Sequence, residues 1–368
     1  MKTKIMFLQF PLEPALGGAE ELTVSLAVGL ADNGYEIQLL SSNKLLVERF
    51  SQNRLATKYL WAGWEPTTIK SLFLFPLTAA LAAGIFFYFL ARYSPKIVFC
   101  LTLTDKLVAS VVARALGITP VFIELTRLGR WFFKNPLLPF YRLCARSCKI
   151  VAPSFFLRNQ LLSAGAPVDQ ITIIYPGVSL ATVARDVKNQ GPGEKTVGFL
   201  GRLASEKGID LLLTALAMLP PSYKLLIAGD GPARGALREL TATLNLEKRV
   251  NFLGWVSDKR SFFSKISVLV VPSTQAESFG LVVTEAMAWG VPVIASRLGA
   301  IPEVIEHNKT GFLIKPKAAE IIKYIRSTAE NEKTTGLITR RARRAVELRF
   351  DRKRMLDDYL RLIRLLTT

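Results

Sequence analysis

Short, continuous apolar runs recur along this chain, with helical sequence between them. In the first half they read "KIMFLQF", "YEIQLLSS", "PKIVFCLT", "TPVFIEL" and "KIVAPS"; in the second, "KTVGFLGRL", "YKLLIAGDG", "RVNFLGWV", "SVLVVPS" and "VPVIAS". A strand with one wet face alternates polar and apolar residues. A strand that is apolar throughout must be covered on both faces, which is the situation in a parallel sheet flanked by helices. The first unit shows the grammar: after the opening strand, "PALGGAEELTVSLAVGLADNG" holds a Gly-Gly turn and an amphipathic helix closed by Gly34, and a second strand follows. The pattern starts again at Lys195. The chain therefore predicts an α/β protein of two doubly wound parallel-sheet domains, with the polar, glycine-bearing "ARDVKNQGPGEK" (184–195) as linker. A length of 368 residues agrees with two domains, and a 50% hydrophobic content excludes a disordered or fibrous chain.

One segment interrupts the grammar. From Ser71 to Ala91, "SLFLFPLTAALAAGIFFYFLA" carries no charge. As a helix it would reach about 30 Å, the thickness of a bilayer's hydrocarbon. A crossing here would leave the first strand on one side of a membrane and the rest of its sheet on the other, and such a sheet cannot be assembled. Two readings remain: a helix buried in the domain, or an interfacial one entering a single leaflet. The N-terminal "MKTKIMFLQF" reads as a strand rather than a secretion signal, because its apolar run is short and leads into "PLEP". Three cysteines, Cys100, Cys144 and Cys148, show no framework spacing and suggest a reducing compartment.

The formal charge of +19 calls for anionic partners. Basic residues interleave with Trp131, Phe132, Phe133 and Tyr141 in the acid-free "TRLGRWFFKNPLLPFYRLCARSCK", and cluster again in "RRARRAVELRFDRKR". No helix-turn-helix, RNA-recognition or zinc spacing accompanies them, so nucleic acid is not expected. An anionic membrane surface accounts for these stretches and for 71–91 together. The competing reading places the aromatics in the core and the arginines in solvent.

The chemistry-bearing residues lie mainly in the second half. Arg202 and Lys207 follow a strand end, between Gly201 and Gly208, and α/β sheets bind ligands beyond the carboxyl ends of their strands. Glu277 and Glu285 stand in "ESFGLVVTEAMAWGVPVIAS", a segment otherwise apolar and small. Phe279, Gly280 and Leu281 bring backbone N–H groups to a helix start, a ready anion site. Solvated loops and helix faces remain the bland alternative, but Val282, Val283, Ala286 and Met287 around Glu285 fit it badly.

Taken together, "GRLASEKGID", "IAGDGP", "PSTQAESFGLVVTEAMAWGVPVIAS" and "GAIPEVIEHNKTGFLI" resemble the donor-binding half of the retaining glycosyltransferases of family 4. "PALGGAE", "RYSPKIVF", "VAPSFFLRNQLL" and "IIYPGV" extend the resemblance weakly through the first half. It implies the GT-B fold, two Rossmann-like domains facing a central cleft. The boundaries expected are 1–185 for an acceptor-binding domain, 195–345 for a nucleotide-sugar-binding domain, and 346–368 for a terminal helix crossing back to the first. It implies that Arg202 and Lys207 act on the donor phosphates, that Glu277 contacts the transferred sugar, and that Glu285 binds the ribose hydroxyls. Gly17 and Gly18 match the family's glycine turn at the phosphates. Pro302 and Glu303 match a structural turn.

The sequence also departs from the family. Many members have a histidine after the fourth strand of the first domain, where this chain reads "VFIELTRLGRW"; Glu124 or Thr126 is the candidate for the missing polar contact on the acceptor side. His307 is given no role. No Asp-x-Asp loop stands in a position to hold a metal, so neither metal nor cofactor is expected, and fixed positive charge would stabilise the leaving diphosphate. The function expected is transfer of a hexose from a nucleotide-diphosphate sugar to a lipid, lipid-linked saccharide or glycan, by a peripheral or monotopic protein on the inner face of the cytoplasmic membrane. The alternatives are a soluble transferase acting on a small or polymeric sugar, and a basic membrane- or nucleic-acid-binding protein with a vestigial donor fold.

Overall fold

The computed structural model describes residues 2–11, 17–62, 65–180 and 195–367. Within them the chain forms two compact units: Met1–Tyr175 with Lys353–Thr368, and Pro176–Arg352. The expected linker, apart from Lys195, lies outside the described residues.

The first unit is built on seven parallel strands: β1 (Lys4–Gln9), β2 (Glu36–Ser41), β3 (Ala56–Tyr59), β4 (Ile97–Cys100), β5 (Thr119–Ile123), β6 (Lys149–Ala152) and β7 (Ile171–Ile173). Their order is β3-β2-β1-β4-β5-β6-β7, which reverses direction between β1 and β4. Alternate residues serve opposite layers. Met6, Leu8, Val98, Cys100, Phe122 and Ile150 face one; Ile5, Phe7, Ile97, Phe99, Val121 and Val151 face the other. This explains the continuous apolar runs, since every second residue is still inside.

Helices α1 (Gly18–Asp32) and α2 (Lys44–Gln52) cover the second layer. The first layer holds α3 (Ile69–Tyr93), a π-helical turn (Asp105–Ala109) continuing into α4 (Ser110–Ala115), then α5 (Arg130–Lys134), α6 (Leu138–Ala145) and α7 (Phe155–Ser163). Thr68 caps α3, accepting from the Ser71 N–H at 3.1 Å, and Ser154 caps α7 through the Leu157 N–H at 3.1 Å. Along α3, Ser71, Phe75, Thr78, Ala82, Phe86 and Leu90 form a buried stripe at helical spacing. The opposite face stays apolar and exposed. The uncharged segment is thus half core and half surface, because only one side of a helix can pack on a sheet.

The second unit has six parallel strands in the order β10-β9-β8-β11-β12-β13: β8 (Lys195–Leu200), β9 (Tyr223–Ala228), β10 (Val250–Gly254), β11 (Val268–Val271), β12 (Val293–Ser296) and β13 (Phe312–Ile314). Its order reverses between β8 and β11. Its helices are α8 (Ile209–Ala217), α9 (Arg234–Thr243), α10 (Lys259–Phe263), α11 (Leu281–Ala288), α12 (Ile301–Val304), α13 (Ala318–Glu330) and α14 (Glu332–Arg349). Phe350 and Asp351 break the helix, and α15 (Arg352–Thr367) follows. Met355, Tyr359, Leu360, Leu362 and Ile363 of α15 belong to the second layer of the first unit, with Tyr359 edge-on to Phe99 at 6.2 Å. Gly29 of α1 admits this helix: a Cβ there would stand 2.9 Å from Leu356 Cδ2.

Candidate functional site

Where the order of a parallel sheet reverses, the loops after the two central strands turn to opposite sides and leave a crevice at the strand ends. In the second unit those strands are β8 and β11. The loop after β8 carries Arg202 and Lys207, and the loop after β11 carries Ser273 and Glu277.

These loops are bound to one another. The Thr274 N–H donates to the Glu206 carbonyl at 2.8 Å. Lys207 Nζ donates to Glu277 Oε1 at 2.7 Å, and Ser273 Oγ donates to the same oxygen at 2.6 Å. Gly208 permits the approach: its φ is +66°, and a Cβ would lie 2.1 Å from the Pro272 carbonyl oxygen. The backbone of Glu277 is held from the other side, since its carbonyl accepts from the Ala300 N–H at 2.9 Å. Two residues singled out in the sequence, far apart along the chain, are thereby brought together.

Arg202 reaches Glu206 Oε1 at 2.6 Å and is largely exposed. Burial opposes ionisation of Glu206, but hydrogen bonding to its own backbone and the Arg202 guanidinium outweigh it and hold the carboxyl below its usual range. Glu285, on α11, accepts from Lys259 Nζ at 2.5 Å. Its neighbours Val283, Thr284, Ala286 and Met287 are all buried, so α11 turns no solvated face there. Sequence reasoning missed Lys259 and Ser273. Nothing marks Lys259 among so many basic residues, whereas Ser273 directly follows a strand end and could have been suspected.

The Phe279 side chain is buried against Phe350, with ring centroids 5.4 Å apart, so its ring is part of the packing rather than of a binding surface. Gly280 begins α11 at φ +99°. The Val283 N–H turns back to the Gly280 carbonyl at 3.0 Å, and N–H groups at the start of a helix, which lack a carbonyl one turn earlier, are the source of its anion affinity. Among the described residues no group of three or more His, Cys, Asp and Glu is placed to hold a metal ion.

The remaining candidates lie in the first unit. Gly17 caps α1, and its N–H donates to Glu20 Oε2 at 2.9 Å; Gly18 is the first helical residue. Glu124 is turned into the interior, where Lys106 Nζ lies 2.9 Å from Oε2 and the Tyr141 hydroxyl donates to Oε1 at 3.0 Å. Its carboxylate is thus committed to a buried network, while Thr126 is exposed in the loop after β5. Of the aromatic cluster, Phe132 packs on Tyr141 at 5.1 Å, whereas Trp131 and Phe133 are exposed.

A model of the glycosyl transferases group 1 matches residues 182–345, and one of Glycosyltransferase Family 4 matches residues 16–182. The two meet at residue 182 and together span residues 16–345. The chain belongs to the group 1 glycosyltransferases. Like them it has the GT-B fold. The Anabaena protein HepE, solved in complex with UDP, superposes with a TM-score of 0.84 at 23% identity, covering 99% of each chain. An uncharacterised glycosyltransferase of Methanocaldococcus jannaschii is 32% identical over 193 residues, 48% of this chain and 49% of that one. The sulfoquinovosyl transferase of Arabidopsis thaliana is 27% identical over 297 residues, 74% of this chain and 57% of the relative. The match thus spans about half the length of these relatives. For a member of this family the sole histidine, His307, has a structural post: its Nδ1 accepts from the Leu313 N–H at 3.0 Å, and its ring lies edge-on to Tyr324.

Proposed function

We propose that this group 1 glycosyltransferase moves a hexose from a nucleotide-diphosphate sugar to a lipid, lipid-linked saccharide or glycan, with retention of configuration and without a metal. The observation that carries the reading is the Lys207–Glu277 pair at the switch point of the second sheet. Glu277 takes one of the three ammonium donors of Lys207, and the others suit phosphate oxygens. Arg202 adds a second fixed positive charge, and the α11 N-terminus at Phe279, Gly280 and Leu281 adds backbone donors. Preorganised groups of this kind stabilise a diphosphate as its bond to the sugar breaks.

In the front-face reaction the bond between the anomeric carbon and the phosphate oxygen breaks, and the acceptor oxygen bonds to the same face. The leaving phosphate takes the acceptor's proton, so no protein base is required. Glu277 contacts the transferred sugar, and Glu285, oriented by Lys259, accepts the two ribose hydroxyls. The role of Gly17 and Gly18 rests on the family resemblance alone. With Glu124 committed to Lys106 and Tyr141, Thr126 is the better acceptor-side candidate.

The site of action proposed is the cytoplasmic face of a membrane, supported by the charge of +19 and by the apolar outer face of α3. Nucleotide sugars screened by thermal shift, followed by donor hydrolysis with the best binder, test the donor assignment. A protein that neither binds nor hydrolyses any of them would favour the vestigial reading.

A further inference from the structure

The outer face of α3 is unusual for a surface helix. Phe73 is 84% exposed and Leu77 74%, and Ile69, Leu81, Phe87 and Tyr88 are also exposed. No charge interrupts this face between Lys70 and Arg92, which stand at its two ends. The helix cannot leave the fold to span a bilayer, because its other face is the buried stripe from Ser71 to Leu90. Exposed apolar residues continue in the same layer of the unit: Val111 on α4, Trp131 and Phe133 on α5, and Phe140 and Leu143 on α6. Exposed apolar residues gathered on one layer in this way mark an interaction site.

The charge around it identifies the occupant. From Pro66 to Val168 the sequence holds only two acidic residues, Asp105 and Glu124. Both are buried, at 0% and 4% exposure. Lys70, Arg92, Arg114, Arg130, Lys134 and Arg146 are exposed. The surface of this layer is therefore apolar and cationic, with no acid on that stretch to offset it. A second copy of the same face would set like charges against each other. A protein partner would need an acidic rim around an apolar centre, whereas a leaflet of acidic lipids supplies both over any area.

We propose that the layer of α3, α4, α5 and α6 is a monotopic membrane-docking surface for an anionic leaflet. On it α3 lies flat, with Phe73, Leu77 and Leu81 among the acyl chains and with Lys70 and Arg92 reaching the headgroups. Amphipathic helices that lie in the interface bury their apolar face by about 5–10 Å, and the long stems of Lys and Arg let their charges rise to the phosphates. This deepens, and rests on, the membrane location proposed above, and it names the face that makes contact. Phe132 is excluded, because it packs inward on Tyr141.

The test is flotation of the full chain with vesicles of phosphatidylcholine alone and of phosphatidylcholine with phosphatidylglycerol. The parent should float with the acidic vesicles, and high salt should weaken but not abolish binding. Phe73→Gln/Leu77→Gln/Leu81→Gln should lower the salt-resistant binding by roughly a hundredfold, as three apolar side chains no longer insert. Lys70→Gln/Arg92→Gln/Lys134→Gln should lower the salt-sensitive part by roughly fivefold per charge. Trp131→Ser/Phe133→Ser keeps the test open if the helix variant fails to fold. A parent that stays in solution with acidic vesicles, or folded apolar variants that float as the parent does, would overturn the proposal. So would a parent dimer in sedimentation that these substitutions dissociate, in the absence of vesicle binding. Nucleotide-sugar binding by thermal shift, run on the same samples, keeps the outcomes apart: a parent that binds donor but does not float removes the membrane reading and leaves the donor site standing.

Discussion

Lys207 Nζ and Glu277 Oε1 stand 2.7 Å apart, joined across two loops that meet only because Gly208 has no side chain. Both side chains are partly buried, so removing either leaves the other with an uncompensated charge. Lys207→Ala should lower turnover roughly a hundredfold or more, and Arg202→Ala similarly, on the scale of losing one preorganised charge stabiliser. Glu277→Ala should reduce turnover too. Because the pair is coupled, the Lys207→Ala/Glu277→Ala double variant should lose less than the product of the single effects. Steady-state rates on the four proteins decide this, and multiplicative losses would show that the two side chains act independently.

Glu285 and Lys259 form a second pair, and its loss should read differently. Glu285→Ala should mainly weaken donor binding, raising KM with a smaller effect on kcat, since the ribose it is proposed to hold is remote from the bond that breaks. Lys259→Ala should shift KM in the same direction by a smaller factor. A kcat collapse at unchanged KM would place Glu285 in the chemistry instead.

If Arg202, Lys207 and the α11 N-terminus take the part of a divalent ion, as proposed, activity should survive EDTA. The anomeric configuration of the product, followed by NMR, should match that of the donor. Inversion, or loss of activity with EDTA that manganese restores, would contradict the proposed mechanism.

Two glycines should respond to alanine with opposite signs. At Gly208 the backbone has φ +66° and a Cβ would press on the Pro272 carbonyl, so Gly208→Ala should cost more than about 2 kcal/mol and impair turnover. Gly235 lies within α9, and a Cβ there meets nothing within 4 Å. Gly235→Ala should therefore stabilise the fold by about 0.5–1 kcal/mol without touching the site. Thermal melts compare them directly.

Stability should also carry a pH signature from Asp105. Burial is the main cause that raises its carboxyl to about 7, against the opposing hydrogen bonds from the Thr102 hydroxyl and N–H. In the unfolded chain the group ionises near pH 4. Its contribution is thus full below about pH 4 and is lost as the pH rises through about 7, at up to about 1.4 kcal/mol per unit. Asp105→Asn should flatten the melting-temperature profile across that window. Parallel profiles for the two proteins would show that Asp105 does not titrate there.

The sequence by itself determined the two doubly wound sheets, because strands covered on both faces must be apolar throughout, and ten such runs are plain in it. It missed β3, β7 and β13, which lie at sheet edges and are four residues or fewer in length. An edge strand pairs on one side only, and β3 is mostly exposed, so little in its composition marks it. The candidate site residues of the second unit could be singled out as well, since a carboxylate in an apolar helix and a basic loop at a strand end conflict with the local pattern. Their partners were not. The pairing of Lys207 with Glu277, and of Glu285 with Lys259, depends on which strands are neighbours and where the order reverses, and local sequence carries no record of that. Glu124 shows the same limit: only the packing of the π-helical turn and α6 against β5 turned it inward to Lys106 and Tyr141. The segment 71–91 gives the clearest division between the two. Its composition required an apolar environment along its whole length, but only packing on the sheet decided which side is core. The other side is left facing outward, because a helix can bury just one of its faces against a sheet.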